Sequence, residues 1–455
     1  MSPSNRALTL TIIAASLLYP TSNALALCSF TGSGPSVAAL NDGTTCTVSG
    51  SFGTSSGGTA VALKANPGAT MIMSGNMFVT SANYYGIQAD GAGANISNTA
   101  NVNVTTSGDD ANGIYASNSG LINLNNINIA TSGTTYAQGL IAEDNGTINV
   151  VGDTIIKTTG SSATEKWKGN EGVASGSGAT VTLNTADIRT TGNYSTGIVG
   201  FGGTVTASGK TRVDTRGQYA DGVLAAAGGN IALSSEASVY AYGANSAAIR
   251  LANLANVTPN QVTITNGVLS ASQANTIEVN GGVSNVTLSH ITTSAASGRL
   301  LINVDNGTNL ANSGFHDATK IVPNSAMLTL TANDNSVLRG DTVVASDGSK
   351  ADLIFNSGSL YTGKMTNVTN ATFNNGSWNV TGNSNITQNL TNAGGIYFQN
   401  LGQTVTVGGN YTGVAGSVIR LDTQLGDDNS PTDKLHVIGN TCKSHSKIEP
   451  DDGVK

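Results

Sequence analysis

A repeat of about 25 residues runs through the first half of the chain and restricts the folds open to it. A glycine followed by an aliphatic residue recurs in six places, and Ala248-Ile249 continues the series with alanine in the glycine position. The six pairs are Gly86-Ile87, Gly113-Ile114, Gly139-Leu140, Gly172-Val173, Gly197-Ile198 and Gly222-Val223. Their glycines are 27, 26, 33, 25 and 25 residues apart, and Ala248 follows the last by 26. A recurring period of this length indicates a repeat architecture in which each unit packs on the next.

Each unit contains about three short segments that alternate apolar and polar residues, as half-buried strands do. Apolar residues recur nine, eleven and sixteen residues after the glycine, as at Ile122, Leu124 and Ile129. One unit cannot bury its apolar face alone, whereas stacked units pair each strand with its counterpart about 4.8 Å away. The sequence therefore predicts an all-β parallel β-helix (a β-solenoid) with about three short strands per turn. Propeller blades of about 40–45 residues do not fit this period.

The composition agrees with stacked turns and excludes two classes of partner. The chain has 455 residues, 20 Lys and Arg against 27 Asp and Glu, and only 10% charged residues. In a stack, each charge lies above its own copy and is repelled, whereas Asn and Thr form hydrogen-bonded ladders. A formal net charge of −7 argues against nucleic-acid binding, and no basic amphipathic helix is present to bind an anionic membrane surface.

The first 26 residues have the features of a secretory signal peptide. Arg6 gives a weakly positive start, residues 7–19 form a short apolar run, and Ala24-Leu25-Ala26 is an A-x-A cleavage site. We expect cleavage after Ala26 and export of the mature protein.

Export makes a disulfide the natural expectation for the two cysteines near the mature N-terminus. Cys28 and Cys46 are close in sequence, and oxidising conditions permit them to pair. Closing a loop of that size would stabilise the fold by about 3 kcal/mol. Cys442 is left without a predicted partner.

One spacing breaks the rhythm and points to a protruding loop. The 33-residue interval between Gly139 and Gly172 has its excess around residues 161–171, where Trp167 lies between Lys166 and Lys168. Insertions in solenoids map to loops, often on the binding face. These three residues are therefore candidate contacts for a sugar or a partner. The alternative is a tolerated surface insertion whose tryptophan folds back onto the helix.

Arg339-Gly340-Asp341 spells the integrin-binding tripeptide and is a second candidate contact. A turn that presents Arg339 and Asp341 outward would mediate adhesion to host cells. The alternative is an ordinary turn that leads into the strand at 342–344.

Three segments near the C-terminus resemble the C-terminal passenger region of pertactin-like autotransporters. They are NNGSWNVTGNSNI (374–386), VGGNYTG (407–413) and LDTQLGDDNSPTDKL (421–435). The resemblance covers residues 325–440, and it implies a right-handed β-helical passenger that crosses the outer membrane of a Gram-negative cell. In that family the C-terminal turns act as a folding seed during secretion.

The resemblance ends near residue 440. The segment that follows Thr441, CKSHSKIEPDDGVK, is polar, more highly charged and unlike the family pattern. Family members normally continue into a translocator β-barrel in cis. We expect this barrel to be absent here if the chain is complete as given, and a truncation or a shifted reading frame is one hypothesis for that. We expect the protein at the cell surface or outside the cell if it is translocated, and in the periplasm if no barrel is available. The predicted parts are a signal peptide at 1–26, the repeat passenger at 27–325, the folding-seed turns at 326–440 and an atypical polar tail at 441–455.

No arrangement of residues in the sequence indicates catalysis. The histidines are scattered without metal-ligand spacing, and the acidic pairs Asp109-Asp110 and Asp427-Asp428 fit solvated turns. We therefore expect no enzymatic activity, no cofactor and no metal. The predicted function is adhesion by a rigid surface, with host-cell or extracellular-matrix components, or other bacteria, as partners. The alternatives are self-association, a carbohydrate-active β-helix enzyme with carboxylates clustered on one face, and an inactive truncated remnant.

Overall fold

Successive repeats stack as turns of a coil, and the pairings between their strands are parallel. The computed structural model has no helix among the residues it describes, and its coil is a right-handed parallel β-helix, which confirms the predicted fold class. The described residues are 27–33, 37–41, 43–54, 60–161, 169–252, 258–308, 324–427, 430–443 and 447–450.

The strands form three sheets that run along the coil. Sheet A contains β1 (Leu27–Ser33), β3 (Thr45–Gly53), β5 (Thr70–Ser81), β7 (Asn95–Asn98), β8 (Asn101–Thr106), β10 (Leu121–Leu124), β11 (Asn126–Thr131), β13 (Thr147–Thr158), β15 (Thr180–Thr190), β17 (Thr204–Thr215), β19 (Asn230–Ala241), β21 (Asn260–Ala271), β23 (Gly282–Ser294), β25 (Ala326–Asn333), β26 (Val337–Arg339), β28 (Lys350–Asn356), β29 (Leu360–Thr362), β31 (Asn370–Val380), β33 (Leu390–Phe398), β35 (Tyr411–Gly413), β36 (Val418–Leu421), β38 (Thr441–Lys443) and β39 (Lys447–Pro450). Sheet B contains β2 (Ala38–Leu40), β4 (Leu63–Ala65), β6 (Ile87–Asp90), β9 (Ile114–Ser117), β12 (Leu140–Ala142), β14 (Val173–Gly176), β16 (Ile198–Phe201), β18 (Val223–Ala226), β20 (Ile249–Ala252), β22 (Ile277–Asn280), β24 (Ile302–Asp305), β27 (Thr342–Val344) and β30 (Met365–Thr366). Sheet C contains β32 (Ser384–Ile386), β34 (Thr404–Val407) and β37 (Lys434–Val437).

The aliphatic residue that follows the repeat glycine, or follows Ala248, Thr276 or Leu301 in its place, begins a strand of sheet B and points into the core. These residues are in register from turn to turn, and each is 0% exposed. They are Ile87, Ile114, Leu140, Val173, Ile198, Val223, Ile249, Ile277 and Ile302. Burial of like residues above one another gives a continuous aliphatic core, which is what the spacing predicts.

In the turns that carry it, the repeat glycine lies where neighbouring turns approach closely. A Cβ on Gly139 would lie 2.5 Å from the carbonyl oxygen of Gly172, and a Cβ on Gly197 would lie 2.7 Å from that of Gly222. Those distances are shorter than any real Cβ contact, so a side chain would force the turns apart.

The second and third predicted strands of a unit belong to the same sheet. They are separate as β10 and β11, but in the next turn they join as β13. The join carries an irregularity, because the register of β13 against β15 shifts between Val150 and Asp153. The extra residue is absorbed as a β-bulge, which bends the strand without ending it.

The coil continues past residue 250, where the sequence repeat weakens, and its core becomes aromatic. The rings of Phe355 and Phe373 stack with centroids 5.1 Å apart, and Phe373 stacks on Trp378 at 5.8 Å. All three side chains are 0% exposed, and Trp378 Nε1 donates a hydrogen bond to the Gly363 carbonyl at 2.9 Å. An aromatic side chain fills more volume than an aliphatic one, so fewer inward residues are needed to fill the core of each turn.

We expect Ile198→Ala to lower the free energy of unfolding by about 2–5 kcal/mol, because it leaves a cavity in the aliphatic column. Thr182→Ala on β15 is the control, since Thr182 points to solvent between buried Val181 and Leu183, and its cost should stay within about 0.5 kcal/mol. Urea unfolding followed by circular dichroism measures both. Equal effects of the two substitutions would contradict the assignment of inward and outward positions.

Candidate binding cleft

An apolar strip lies on the outer face of sheet B, where a solvated surface would carry polar residues. The second residue of each sheet B strand points away from the core, and four of these residues in adjacent turns are apolar. They are Ile141, Ala174, Val199 and Leu224, and we call them the apolar strip. Tyr115 precedes them in the same register and Arg250 follows them. Across four turns spaced about 4.8 Å apart, the strip extends about 14 Å along the coil axis.

Turns on both sides of the strip rise above it and form a cleft with a volume of about 670 Å³. The turns that precede the strands contribute one wall, with residues Tyr84, Tyr85, Asp110, Asn112, Tyr136, Gln138, Glu171 and Thr196. The strand ends and turns that follow contribute the other, with Glu143, Asp144, Ser175, Gly176, Ser177 and Phe201. These walls explain why Ile141 and Leu224 are only 5% and 6% exposed although they point outward.

The first wall is built on residues with left-handed backbone conformation. Asp110, Tyr136, Tyr194 and Tyr219 each lie three residues before a repeat glycine, and their φ angles are 56°, 49°, 61° and 56°. This conformation is uncommon for a tyrosine. Tyr194 and Tyr219 continue the row beyond the cleft, with their rings stacked at 5.2 Å.

A cluster of tyrosines and a carboxyl group close one end of the cleft. The ring centroids of Tyr84 and Tyr85 are 4.3 Å apart, and those of Tyr85 and Tyr115 are 4.6 Å apart. Tyr115 Oη donates a hydrogen bond to Glu143 Oε2 at 3.1 Å. Burial raises the pKa of the Tyr85 and Tyr115 hydroxyls and the pKa of the Glu143 carboxyl, because each group loses contact with water. The cluster therefore favours the uncharged form of these groups.

Hydrogen bonds between turns hold the polar groups of the first wall in place. Asn112 Oδ1 accepts the backbone N–H of Gln138 at 2.8 Å. Gln138 Nε2 in turn donates to Glu171 Oε2 at 2.6 Å. Such side chains lose little freedom when a ligand binds, so the wall is preorganised.

The charged groups of the cleft are of one sign. Asp110, Glu143, Asp144 and Glu171 line it, and none of its described lining residues is Lys, Arg or His. In the described parts of the chain, no group of three His, Cys, Asp or Glu side chains is placed to hold a metal ion. The cleft therefore offers apolar surface, aromatic rings and hydrogen-bond acceptors to a ligand.

The candidate Arg-Gly-Asp tripeptide forms a corner between sheets A and B. Arg339 ends β26 and is exposed, and Gly340 has a φ of 129°. Asp341 Oδ1 accepts the backbone N–H of Lys364 at 2.9 Å, and its other oxygen lies 3.8 Å from Lys364 Nζ. The Asp341 carboxylate thus binds the next turn of the coil, while the Arg339 side chain faces solvent.

The remaining candidate residues lie at the N-terminus and in the insertion. Cys28 and Cys46 face each other on β1 and β3 with Cα atoms 4.6 Å apart, and the structure joins their sulfurs. The signal sequence with its cleavage site after Ala26, and the insertion residues Lys166, Trp167 and Lys168, lie outside the described residues. The predicted insertion ends at Glu171, which lines the cleft.

The cleft was not predicted from the sequence, although a signal for it exists. The second residue after each repeat glycine is Gln88 and Tyr115 in two repeats and then becomes apolar in the next four. The fold requires this position to point outward, so an apolar run there marks a surface strip. Recognising it needs the direction of each side chain, which the spacing of glycines does not supply.

We expect Glu143→Gln to stabilise the protein at pH 8 and to have no effect at about pH 3.5. The folded-state pKa of Glu143 lies above its unfolded value, so this group's stability contribution is present below the ordinary glutamate pKa of about 4.3 and is lost as the pH rises through the folded pKa. Glutamine mimics the protonated form and keeps the acceptor for Tyr115. Thermal unfolding midpoints at both pH values provide the measurement.

Glu236→Gln is the matched control, because Glu236 is exposed and pairs only at the surface with Lys210. The same gain at pH 8 in this variant would show that lowering the net charge, and not burial of Glu143, is responsible.

Comparison with known proteins identifies the C-terminal part of the chain. Residues 383–453 match the family model Autochaperone Domain Type 1, a domain of the C-terminal region of autotransporter passengers. No curated protein sequence matches the chain. None of the described residues forms a helix that is long and apolar enough to cross a membrane. The match begins within the segment that the sequence resemblance marked, and it is continuous with the coil that carries the cleft. Residues 383–453 therefore carry the autochaperone domain of an autotransporter passenger's C-terminal region.

Proposed function

We propose that this passenger is a non-catalytic adhesin and that the cleft on sheet B is its contact surface. Autotransporter passengers are exported toward the cell surface or the extracellular space, and their partner in cis is a translocator barrel. The observation that carries the proposal is the apolar strip with its aromatic wall. A cleft with an apolar floor between polar walls is a common property of binding sites.

The rigidity of the coil supports this role. Strands β12, β14 and β16 beneath the cleft each pair with a strand on both sides, so the floor cannot move without breaking the sheet. Binding groups on such a scaffold are held more accurately than groups on loops, and less entropy is lost on contact. The partner in this proposal is a component of the host-cell surface or extracellular matrix, or the surface of another bacterium.

Other predicted residues enter the proposal as secondary contacts. The insertion residues Lys166, Trp167 and Lys168 would contribute a further contact, and Arg339 would contribute a separate one at the corner of the coil. We also propose that residues 1–26 are removed on export.

We expect Val199→Asp to reduce adhesion of the purified chain to epithelial cells, or to bacteria, by at least about tenfold. A charge on the apolar strip must be desolvated when a ligand covers it, and tenfold corresponds to about 1.4 kcal/mol. Flow cytometry with fluorescently labelled protein measures adhesion, and urea unfolding shows that the variant is folded.

Val343→Asp is the matched control, because Val343 occupies the same outward position of sheet B, five turns further along the coil. Its adhesion should equal that of the unmodified chain. Loss of adhesion in Arg339→Ala but not in Val199→Asp would place the contact at the tripeptide and overturn the proposal. Adhesion that persists in both variants would also overturn it.

A further inference from the structure

We propose that the cleft binds a non-acidic glycan chain, with its sugar rings lying on the apolar strip. This inference rests on the proposed function, since it names the ligand class of the same contact surface. Four observations support it. They are the period of the strip, the polar groups along its two edges, the acidic character of the cleft, and the pairing of the strands beneath it on both sides.

The strip repeats at the spacing of a chain of sugars. Ile141, Ala174, Val199 and Leu224 present one apolar side chain per turn, about 4.8 Å apart. A chain of equatorially linked pyranose rings advances by a comparable distance per ring, and each ring has faces made of C–H groups. One ring can therefore lie over each turn of the coil, with Tyr115 at the end of the row as an aromatic platform.

The edges of the strip carry the groups that sugar hydroxyls need. Asn112, Gln138 and Thr196 line one side of the cleft. Glu143, Asp144 and Ser177 line the other. A pyranose ring has hydroxyl groups around its edge and apolar faces above and below. A floor of aliphatic groups between two rows of amides, hydroxyls and carboxylates is complementary to that distribution.

The charges of the cleft exclude acidic glycans. A sialylated, sulfated or uronic-acid chain would place its anions near Asp110 and Asp144, and none of the described lining residues is a cation that could compensate. Bringing like charges together in a partly desolvated cleft is unfavourable. The side-chain oxygens of Asp110 and Asp144 can accept hydrogen bonds from neutral hydroxyls and from the ammonium group of an amino sugar.

The sheet beneath the strip argues against a peptide that binds as an added strand. Peptides bound in this way use free backbone N–H and C=O groups at a sheet edge. Strands β12, β14 and β16 have no free edge, because each is paired on both sides. A peptide would have to bind through its side chains alone, whereas a glycan needs no backbone partner.

The test is binding of the full chain to an array that carries neutral, amino-sugar, sialylated and sulfated glycans, with an oligolysine peptide as a cationic probe. We expect at least one neutral or amino-sugar glycan to bind at least about tenfold more tightly than every acidic glycan and than oligolysine. For that glycan, Tyr115→Ala should weaken binding by at least about tenfold, since a stacking platform is lost. Tyr115→Phe, which keeps the ring, should stay within about threefold of the unmodified chain.

Tyr397→Ala is the control for the ring, because Tyr397 is a half-buried tyrosine on the outer face of sheet A, remote from the cleft. It should not change glycan binding. Preferential binding of acidic glycans, binding of oligolysine alone, or no glycan binding at all would overturn the inference.

The two proposals fail in different ways. If Val199→Asp abolishes adhesion while no glycan binds, the cleft remains the contact surface and the ligand class is wrong. If glycan binding depends on Tyr115 while adhesion is unaffected by Val199→Asp, the ligand class is right and the proposed function is wrong.

Discussion

The parallel hydrogen-bonded ladder between turns of the coil places each residue over its counterpart one repeat away. This constraint decides which residues the chain can use, because any property of one position is repeated along the axis. Apolar positions become a continuous core, and amides become stacks: Asn149 Nδ2 donates to Asn123 Oδ1 at 2.9 Å, and Asn385 Nδ2 donates to Asn367 Oδ1 at 2.8 Å. Charges are tolerated where the neighbouring turn supplies the opposite sign, as between Lys64 and Asp90 at 3.1 Å. The scarcity of charged residues in the sequence follows from this geometry.

The same constraint explains how a binding surface arises on a uniform rod. The outward column of sheet B changes composition along the axis, and the cleft occupies the turns in which it is apolar. The strip ends at Arg250, which is 4% exposed and bonds to Asp221 Oδ2 at 2.9 Å and to Asn280 Oδ1 at 2.8 Å. A buried guanidinium with its partners on adjacent turns closes the apolar surface without leaving an unpaired charge. The site therefore differs from neighbouring turns in a few outward residues, while the strands beneath it pair as they do in those turns.

Much of the fold could be predicted from the sequence, and most of the site could not. The glycine-aliphatic pairs identify the inward column and its register, because glycine marks a close contact between turns and the aliphatic residue that follows it is buried. The joining of two predicted strands into β13 depends on a bulge, which has no signal in the spacing. The cleft depends on the heights of the turns on both sides of the strip. Asp110 and Tyr136 in these turns have positive φ angles, which the sequence pattern does not indicate.

The two ends of the coil need features that the middle does not, because a stack of identical turns would expose its core at each end. At the N-terminal end Cys28 and Cys46 link the first two turns of sheet A. Toward the C-terminal end, in the region that matches the autochaperone domain, Asp433 is 2% exposed and accepts the backbone N–H groups of Gln403 at 2.8 Å and Asp422 at 2.9 Å. These bonds fold the segment around 422–433 back against sheet C. The family match therefore falls on a part of the chain in which specific hydrogen bonds replace the repeat pattern. The cleft lies in the middle turns, where the inward position is filled by leucine, valine or isoleucine. Because the outward residues of those middle turns contribute little to the core, they can change without loss of the fold, and a passenger can acquire a new contact surface there while its ends stay the same.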